Sequence, residues 1–577
     1  MGRPAAGPHR AVGRPPVTVD TPAPALSAAI DAFFDWYYRT YPVNATFIGV
    51  HDHDHRLPDF SERGVADAVS GLEALRAQFR GLPSEPAAPA QVLDRQLIDG
   101  YLEIQQWEFA SIYHYRHNPC VHTGEAIFGI VSLFLRPFAP LPARVDAAVE
   151  RMMAIPGFLA QGARTLDTAP RAWIDRAIRE CNGALAFFES GVDILVRDEG
   201  VRNPRFLAAA GVAANAFREF RAFLKDDLAP RATDDYACGE AALDMHIRRG
   251  HFIEMRAEDI AGWAEESMRA AETRLQALAA DLGAASWREA LSGLVDRHPA
   301  AEHYYAKYTD VWHAARAAAE THRLVTWPEY PIRYVPQPAW ARQAAPSLYF
   351  LFYRAPAAFD RMPIVDYLVT PVEPAMPPEE QQRRLRASND SVIKLNHVIH
   401  HGGLGHHVQN WNAYHRAQSR VGRMAAVDCA TRIAMFCGGT MAEGWACYTT
   451  DLMDEIGFLE PLERVSQAHT RLRMSARALV DVRLHQGRWT LEQAAAYYRE
   501  RVGMSADAAH SEAVKNTLFP ATALMYLTGT EQVHRLRRDL AARATRFDLR
   551  AFHDTFLSYG SVPVSLIADA MRTANPL

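Results

Sequence analysis

Residues 396–409 have the sequence NHVIHHGGLGHHVQ and contain five of the 24 histidines of this 577-residue chain, together with three glycines. Histidine is the side chain most often used for metal binding and for proton transfer near neutral pH. Packing alone does not account for such crowding. A second stretch, residues 441–448 (MAEGWACY), follows about one helical hairpin later. It is predicted to bring the carboxylate of Glu443 back to the same place.

Helical spacing limits how these histidines act together. His397 and His401 are four residues apart, which puts both side chains on one helical face, as in a His-Glu-x-x-His zinc site. His400 and His406 are six apart and would lie about 120° out of phase on a straight helix. The glycines between them allow a break or a bulge. The spacing therefore leaves two ligand pairs open: His400 with His406 across a glycine break, or His397 with His401.

The composition is typical of a soluble globular protein, with 49% hydrophobic and 22% charged residues. The net charge of −5 gives no reason to expect nucleic acid or an anionic membrane as a partner. No apolar run approaches the roughly 20 residues that span a bilayer, and the N-terminus lacks the apolar core of a secretory signal. We therefore predict a cytoplasmic protein whose partner is a small molecule or a short peptide.

Hydrophobic periodicity predicts a mainly α-helical protein. Residues 1–24, rich in Pro, Ala, Gly and Arg, are predicted to be a disordered leader, and residues 25–577 a single helical body. Apolar residues at three- and four-residue spacing predict helices at 92–115, 145–168, 172–196, 209–229, 255–282 and 287–297. In the region 377–577, which holds the candidate site, they predict helices at 379–402, 408–415, 424–436, 440–456, 462–485, 491–502, 508–519 and 530–545.

Residues 326–374 differ in composition from the predicted helices. Three segments, 330–335, 347–353 and 364–370, are β-branched or aromatic and are bounded by prolines, which predicts a small β-sheet inserted into the helical body. Beside a histidine cluster, such a sheet is either a place where an extended substrate pairs by strand addition or a structural β-meander. A polar run at residues 51–54 is either a metal loop or a set of groups that cap and join helices.

Taken together, these motifs resemble the domain-of-unknown-function 885 family, a zinc-peptidase-like group of large helical proteins related to the thermolysin-type clan. The family pattern His-Glu-Ala-x-Pro-Gly-His-His-x-Gln falls on residues 400–409, and its Glu-Gly-Trp-Ala motif falls on residues 443–446. Further similar blocks lie at residues 41–49, 57–59, 481–485, 519–521, 526–529, 552–554 and 560–563. The resemblance thus covers nearly the whole chain beyond the leader.

The resemblance implies a zincin-like fold in which His400, His406 and Glu443 bind a zinc ion, or another divalent metal, and leave a fourth position for water or substrate. It implies that Tyr526 donates its hydroxyl to a developing oxyanion. It also implies second-shell or substrate-facing positions for His485 and His553. A purely structural role as a buried polar residue is the alternative for Tyr526 and His485.

The chain departs from the family pattern at the catalytic base. His401 stands where the family has Glu, Leu404 where it has Pro, and Gly402–Gly403 where it has a bulkier pair. A base contributes typically about two to four orders of magnitude to such a reaction. A neutral imidazole accepts a proton, but it projects differently from a carboxylate and carries no negative charge. Ordinary peptidase activity is therefore expected to be weak.

Three functions stay open. In the first, His401 is the base or a fourth ligand of a metal-dependent enzyme, which acts non-hydrolytically on a small biosynthetic intermediate by proton transfer, dehydration or cyclisation. In the second, the protein is a slow zinc hydrolase of peptides or amides. In the third, it is a metal-free pseudoenzyme that serves as a binding module. The intact ligand residues argue against the third function, and the absent Glu argues against the second.

The six cysteines form no Cys-x-x-Cys pair, which argues against a disulfide framework or a thiolate zinc site. Cys429, Cys437 and Cys447 lie near the site in sequence, and Cys447 comes one helical turn after Glu443. A free cysteine of this kind is expected to be a buried apolar residue rather than a ligand or a nucleophile.

Overall fold

The computed structural model describes residues 23–83, 87–348, 357–360, 362–424 and 435–573, and of residues 435–438 only the backbone. Over these residues the fold is mainly α-helical with one small sheet, as predicted. The predicted leader, residues 1–24, lies outside the described residues apart from its last two.

The first part of the chain is a succession of helices. They are α1 (Pro24–Thr40), α2 (Pro42–Ile48), α3 (Glu62–Arg80), α4 (Pro89–Ala110), α5 (Pro119–Val131), α6 (Leu141–Thr165), α7 (Arg171–Ala186), α8 (Val192–Glu199), α9 (Pro204–Phe223), α10 (Glu240–Gly250), α11 (Ala257–Asp281), α12 (Trp287–Ser292) and α13 (Tyr304–Thr321). Short π-helices at Phe187–Gly191 and Leu224–Leu228 follow α7 and α9.

The second part returns to helices after the small sheet. They are α14 (Pro378–Ala387), a π-helix at Val392–Gly402, α15 (His406–Arg416), α16 (Arg420–Met424), α17 (Met435–Glu455), α18 (Pro461–His485), α19 (Leu491–Tyr497), α20 (Ala506–Leu518), α21 (Met525–Arg543), α22 (Leu549–Ser558) and α23 (Val564–Thr573). Another short π-helix, Tyr498–Val502, follows α19.

Local sequence signals explain where many helices begin. Proline occupies the first position of α4 and α18, where its fixed φ suits a helix and its missing N–H costs nothing. Ser61 and Ser505 precede α3 and α20, and their side chains accept hydrogen bonds from the backbone N–H groups of Gly64 and Ala508. Such caps satisfy donors that the first helical turn leaves unpaired.

The predicted helix at 379–402 is wrong as one element. It is divided into α14 and the π-helix Val392–Gly402. The division occurs because Asn389 starts a new helix: its side-chain oxygen accepts a hydrogen bond from Val392 N at 3.1 Å, as an N-cap does. The predicted helix at 287–297 is shorter than expected, because α12 ends at Ser292 and tight turns follow it.

The small sheet has two parallel strands, β1 (Ile332–Pro336) and β2 (Val365–Val369), in register from Ile332 opposite Val365 to Pro336 opposite Val369. They match the first and third predicted segments. The middle segment lies outside the described residues except for Ser347 and Leu348. Because the pairing is parallel, β1 and β2 do not form a β-meander, which was one of the two interpretations of this region.

Buried contacts join distant parts of the chain. One cluster of buried apolar side chains extends from Ala23 to Met571. The Asp94 carboxylate of α4 accepts hydrogen bonds from the Ser419 hydroxyl at 2.6 Å and from Val421 N at 2.9 Å, which anchors the start of α16. None of the described helices combines the length and the apolar character needed to cross a membrane.

The polar run at residues 51–54 joins elements rather than forming a metal group. His51 lies 2.9 Å through Nδ1 from Asp54 and 2.6 Å through Nε2 from Asp360, so it ties the end of α2 to the segment before β2. Within the described residues, the groups of side chains spaced for metal binding do not include this run. The geometry therefore favours the capping interpretation.

Candidate metal centre

The π-helix Val392–Gly402 ends in a glycine-rich break that separates it from α15. Gly405 N donates to the Ile399 carbonyl at 2.9 Å, and α15 then begins at His406. A Cβ on Gly405 would overlap the carbonyl of His400, so only glycine allows this close approach. The predicted break is confirmed. It brings the rings of His400 and His406 to a centroid distance of 4.8 Å despite their six-residue separation.

The carboxylate of Glu443 meets both histidines. Its Oε2 lies 3.3 Å from Nε2 of His400 and 3.8 Å from Nε2 of His406. Helix α17 is held against the glycine break by Trp445, whose Nε1 donates to the Leu404 carbonyl at 3.0 Å. The structure therefore brings together the three side chains that the resemblance implies as ligands.

This carboxylate lacks a satisfying partner. Glu443 is 8% exposed, and its Oε2 makes no hydrogen bond of good geometry with the described residues. Burial raises the pKa of Glu443, but the contact with His400 and the charges of both histidines outweigh burial and hold the pKa at about 2. An ionised, buried carboxylate oxygen facing two imidazole nitrogens fits a divalent metal, because these are the donor types that zinc prefers.

A second set of contacts orients His406. Its Nδ1 lies 2.9 Å from Oε1 of Gln409, and Nε2 of Gln409 donates to the Ser561 hydroxyl at 3.3 Å. With Nδ1 engaged, Nε2 is turned toward Glu443. Partners of this kind fix the ring and tautomer of a metal-binding histidine. His407 points elsewhere, since its Nε2 donates to the Tyr330 carbonyl at 2.7 Å.

His401 lies at the same centre. One of its nitrogens is within 4.8 Å of ligand atoms of His400 and His406, so the three form a possible metal-binding group. Its Nδ1 is 3.1 Å from the hydroxyl of Tyr367 on β2. Burial, followed by the charges of the neighbouring histidines, lowers the pKa of His401 well below its usual value, so its ring is neutral.

Of the alternative ligands, His397 lies away from the centre, whereas Cys447 lies close to it. His397 turns away from His401: its Nδ1 is 3.1 Å from the hydroxyl of Tyr308, and the two rings stack. Within the described residues, neither of the groups of three side chains spaced for a metal includes His397. Cys447 does reach the centre, with Sγ 3.9 Å from Nδ1 of His400. With His400 and Glu443 it forms the other group of described side chains spaced for a metal, and burial raises the pKa of its thiol.

A cavity of about 960 Å³ opens in front of this centre, and His400, His401, His406 and Glu443 line it. Tyr526 also lines it, as the resemblance implies. The guanidinium of Arg477 lies over the Tyr526 ring, 4.6 Å from its centroid, and positions it.

The structure does not bring His485 to this cavity. The imidazole is fully buried, and its Nε2 donates to the Asn516 carbonyl at 2.9 Å. His485 is not among the residues that line the cavity, and its contacts favour the alternative of a satisfied core histidine over a substrate-facing position. His553 lies behind α17, where its Nε2 accepts a hydrogen bond from Tyr448 at 2.8 Å and its ring packs against Trp445.

The model of the bacterial family of unknown function DUF885 matches residues 42–571. The chain belongs to this family. Its resemblance to that family, inferred above from the histidine stretch and the Glu-Gly-Trp-Ala motif, is confirmed. No curated protein matches the sequence at a significant level.

Two solved structures share the fold of this DUF885 chain. One is "a putative lipoprotein of unknown function from Shewanella oneidensis", with a TM-score of 0.75, 21% identity, and coverage of 95% of this chain and 100% of that one. The other is "the putative lipoprotein from Colwellia psychrerythraea", with a TM-score of 0.75, 15% identity, and coverage of 94% and 98%. At these identities the likeness shows the fold alone.

Several residues near the centre were not predicted from the sequence. Tyr367 lies on a strand whose side chains were not assigned to the site, and Gln409 was matched only as part of a motif. Arg473, Arg477 and Lys515 line the cavity from α18 and α20. The i, i+4 spacing of Arg473 and Arg477 could have indicated a shared face. Only the tertiary structure shows that this face turns inward.

Proposed function

We propose that this DUF885 protein is a metal-dependent enzyme in which His400, His406 and Glu443 bind one divalent ion, with zinc as the expected metal. The observation that carries the proposal is the buried Glu443 Oε2, which lies 3.3 and 3.8 Å from the two histidine nitrogens without a hydrogen bond to the described residues. Two imidazoles and one carboxylate are typical of catalytic zinc sites. A bound ion would act as a Lewis acid on negative charge that develops in the cavity.

In this proposal His401 moves a proton. Its Nδ1 lies 3.1 Å from the Tyr367 hydroxyl, and when the Nδ1–H donates to that oxygen, Nε2 is the proton-accepting nitrogen of the ring. A neutral imidazole in this tautomer takes one proton from a substrate and returns it. That chemistry suits proton transfer, dehydration or cyclisation of a small biosynthetic intermediate. Its proximity to His400 and His406 also supports the other role considered for His401, that of a fourth ligand.

Slow hydrolysis of peptides or amides is the second candidate. The presence of Tyr526 in the same cavity favours it, because a hydroxyl there can donate a hydrogen bond to an oxyanion. His401 would then have to carry a proton to the leaving amine without the help of a carboxylate. A metal-free binding module is the remaining function, and measurement of bound metal separates it from both enzymes.

The size of the cavity supports a small molecule or a short peptide as substrate, since ligand pockets commonly measure about 300–1,000 Å³. The cytoplasmic location stays a prediction without support from the comparisons. Both structural neighbours are described as lipoproteins, a name that implies a lipid anchor. Fractionation of the producing cells, with detection of the chain in each fraction, tests the location directly.

Metal analysis of the full-length protein, purified without added metal and after dialysis against zinc, tests the proposal. We expect about one bound ion per chain, as in a mononuclear catalytic site. His400→Ala should lose the ion because it removes one of three protein ligands. His510→Ala is the matched control, since His510 is exposed on α20 and does not line the cavity. A wild-type protein that stays metal-free after dialysis contradicts the proposal and favours a binding module.

A further inference from the structure

The cavity in front of the metal centre carries more positive than negative side chains. Its cationic lining residues are Arg176, Arg179, Arg473, Arg477 and Lys515, and its carboxylates are Glu180, Glu443 and Glu512. Two of the carboxylates are already paired, Glu180 with Arg176 at 3.0 Å and Glu512 with Arg477 at 2.6 Å. Glu443 belongs to the metal centre. Glu512 also attracts Arg473 and Lys515, and Glu443 attracts Lys515, but three carboxylates against five cations leave the lining positively charged.

Three cations remain: Arg179, Arg473 and Lys515. Within the described part of the chain, none of them has a hydrogen bond or an ion pair. Arg179 is exposed, whereas Arg473 and Lys515 are partly buried. A charge that is withdrawn from water without a partner is costly, so it usually marks a place where a ligand supplies the opposite charge.

Arg473 and Lys515 flank the ion pair of Arg477 with Glu512. Arg473 precedes Arg477 by one turn of α18, and Lys515 follows Glu512 by almost one turn of α20. Both therefore project toward the side of the cavity that α18 and α20 form. Repulsion from Arg477 is the main cause that lowers the pKa of Arg473, with burial adding to it. An anion bound between these groups would relieve the repulsion.

The side of the cavity formed by α18 and α20 is close to the metal centre. Cys447 lines the cavity next to His400, with 3.9 Å between Sγ and Nδ1, and the charge of Arg473 acts on it. The charge of Lys515 acts on Glu443. A substrate of modest size can therefore contact the cations and the metal centre together.

We infer that Arg473 and Lys515 bind a carboxylate of the substrate, so that the substrate is a small carboxylic acid or a short peptide with a free carboxyl end. A guanidinium presents two parallel N–H donors that match a planar carboxylate, and an ammonium adds a point charge. The inference rests on the proposed function, because it assumes that the reacting group of the same molecule lies at the metal centre.

Calorimetric titration of the full-length protein with glutarate tests the inference, and glutaramide serves as the neutral ligand of the same length. We expect glutarate to bind and glutaramide not to bind. Arg473→Gln and Lys515→Gln should each weaken glutarate binding by about tenfold or more, as loss of a charged hydrogen-bond partner does. Arg473→Lys should bind glutarate with intermediate affinity, because lysine keeps the positive charge but lacks the two parallel N–H donors of the guanidinium.

Arg535→Gln is the matched control, since it removes the same charge from an exposed position of α21 outside the cavity. Circular dichroism of each variant checks that it is folded. The inference is overturned if glutarate does not bind, or if glutarate and glutaramide bind equally well. It is also overturned if wild type and both cavity variants bind glutarate equally, or if phosphate binds in place of glutarate. Metal content measured on the same samples, with His400→Ala included, reports separately on the proposed function.

Discussion

The imidazole of His401 lies nearly parallel to that of His406, with 5.6 Å between the ring centroids and 21° between the planes. The hydroxyl of Tyr367 contacts Nδ1 of His401, and the His401 side chain lines the cavity. A carboxylate at this position would bring a negative charge that draws a proton away from an attacking water. The imidazole brings none, so we expect the identity of this one residue to decide between the hydrolytic and the non-hydrolytic proposal.

Replacement of His401 tests this distinction. His401→Glu should raise the cleavage of a defined peptide mixture by about two orders of magnitude or more over wild type, because it supplies a carboxylate base beside the metal. Mass spectrometry of the mixture measures the cleavage, with wild type and His401→Glu matched for metal content. The double variant His401→Glu, Glu443→Gln is the control and should be inactive. Robust cleavage by wild type that survives in His401→Ala would contradict the role assigned to His401.

His51 predicts a dependence of stability on pH that is separate from the metal centre. Burial opposes its charge, but hydrogen bonds with Asp360 and Asp54 outweigh burial and raise the pKa of His51 to about 9. Because the folded pKa exceeds the unfolded value of about 6.5, this contribution to stability is complete below pH 6.5 and is lost as pH rises through about 9.

Urea unfolding of wild type and His51→Gln at several pH values between 6 and 9.5 measures this effect. The difference in free energy of unfolding between the two proteins should be largest at the lowest pH and should shrink steadily toward the highest. A difference that is constant across the range would show that the charge of His51 does not stabilise the fold.

At the scale of the element, the π-helix and the glycine break bring the proposed ligands His400 and His406 together. The sequence allowed the break to be predicted, because three glycines separate two histidines that a straight helix would hold apart. The π-helical winding of Val392–Gly402 was not predictable, because a spacing of three and four residues is read as an α-helix. His397 and His401 therefore looked like a chelating pair, although the structure directs them to different partners.

The unexpected position of His485 and the failure to predict Arg473 have the same physical cause. His485 and Arg473 lie on α18, which packs against α11, α20 and α21 on several sides. Sequence spacing shows which side chains share a face of such a helix, but it does not show which neighbour covers that face. The structure places His485 in the core beside Asn516 and Arg473 in the lining of the cavity.

Gly405→Ala tests the break itself. The added Cβ would overlap the carbonyl of His400, so the chain between the π-helix and α15 must shift. We expect a loss of about 2–4 kcal/mol in free energy of unfolding and a clear loss of metal affinity, since one ligand would move relative to the other. Denaturant unfolding and metal titration measure the two effects.

The control for this substitution is Gly211→Ala in α9, where an added Cβ meets no atom within 4 Å. It should stabilise the protein by about 0.5–1 kcal/mol, because alanine favours a helix more than glycine does. If both variants behaved alike, the close approach at Gly405 would have no structural importance.

At the scale of the whole molecule, the cavity is assembled from distant parts of the chain. Arg176 comes from α7, the histidines from the π-helix and α15, and Lys515 from α20. The hydrogen bond from Trp173 Nε1 to the Thr517 hydroxyl, at 2.9 Å, ties α7 to α20. An ion held by Glu443 and the histidines would add a further link, between α17 and the glycine break.

Removal of the metal should therefore lower the stability of the protein as a whole. A ligand that binds only the folded state stabilises it by about 2.7 kcal/mol when its concentration is 100 times its dissociation constant. For a chain of this length, that corresponds to a shift of about 2 °C in the unfolding temperature. Differential scanning calorimetry with zinc, and with a chelator, should show this shift in wild type. It should be absent in Glu443→Gln, because a neutral amide replaces the charged ligand at the point where the histidines converge. An equal shift in both proteins would mean that zinc binds elsewhere, since the link between α17 and the glycine break would then contribute nothing.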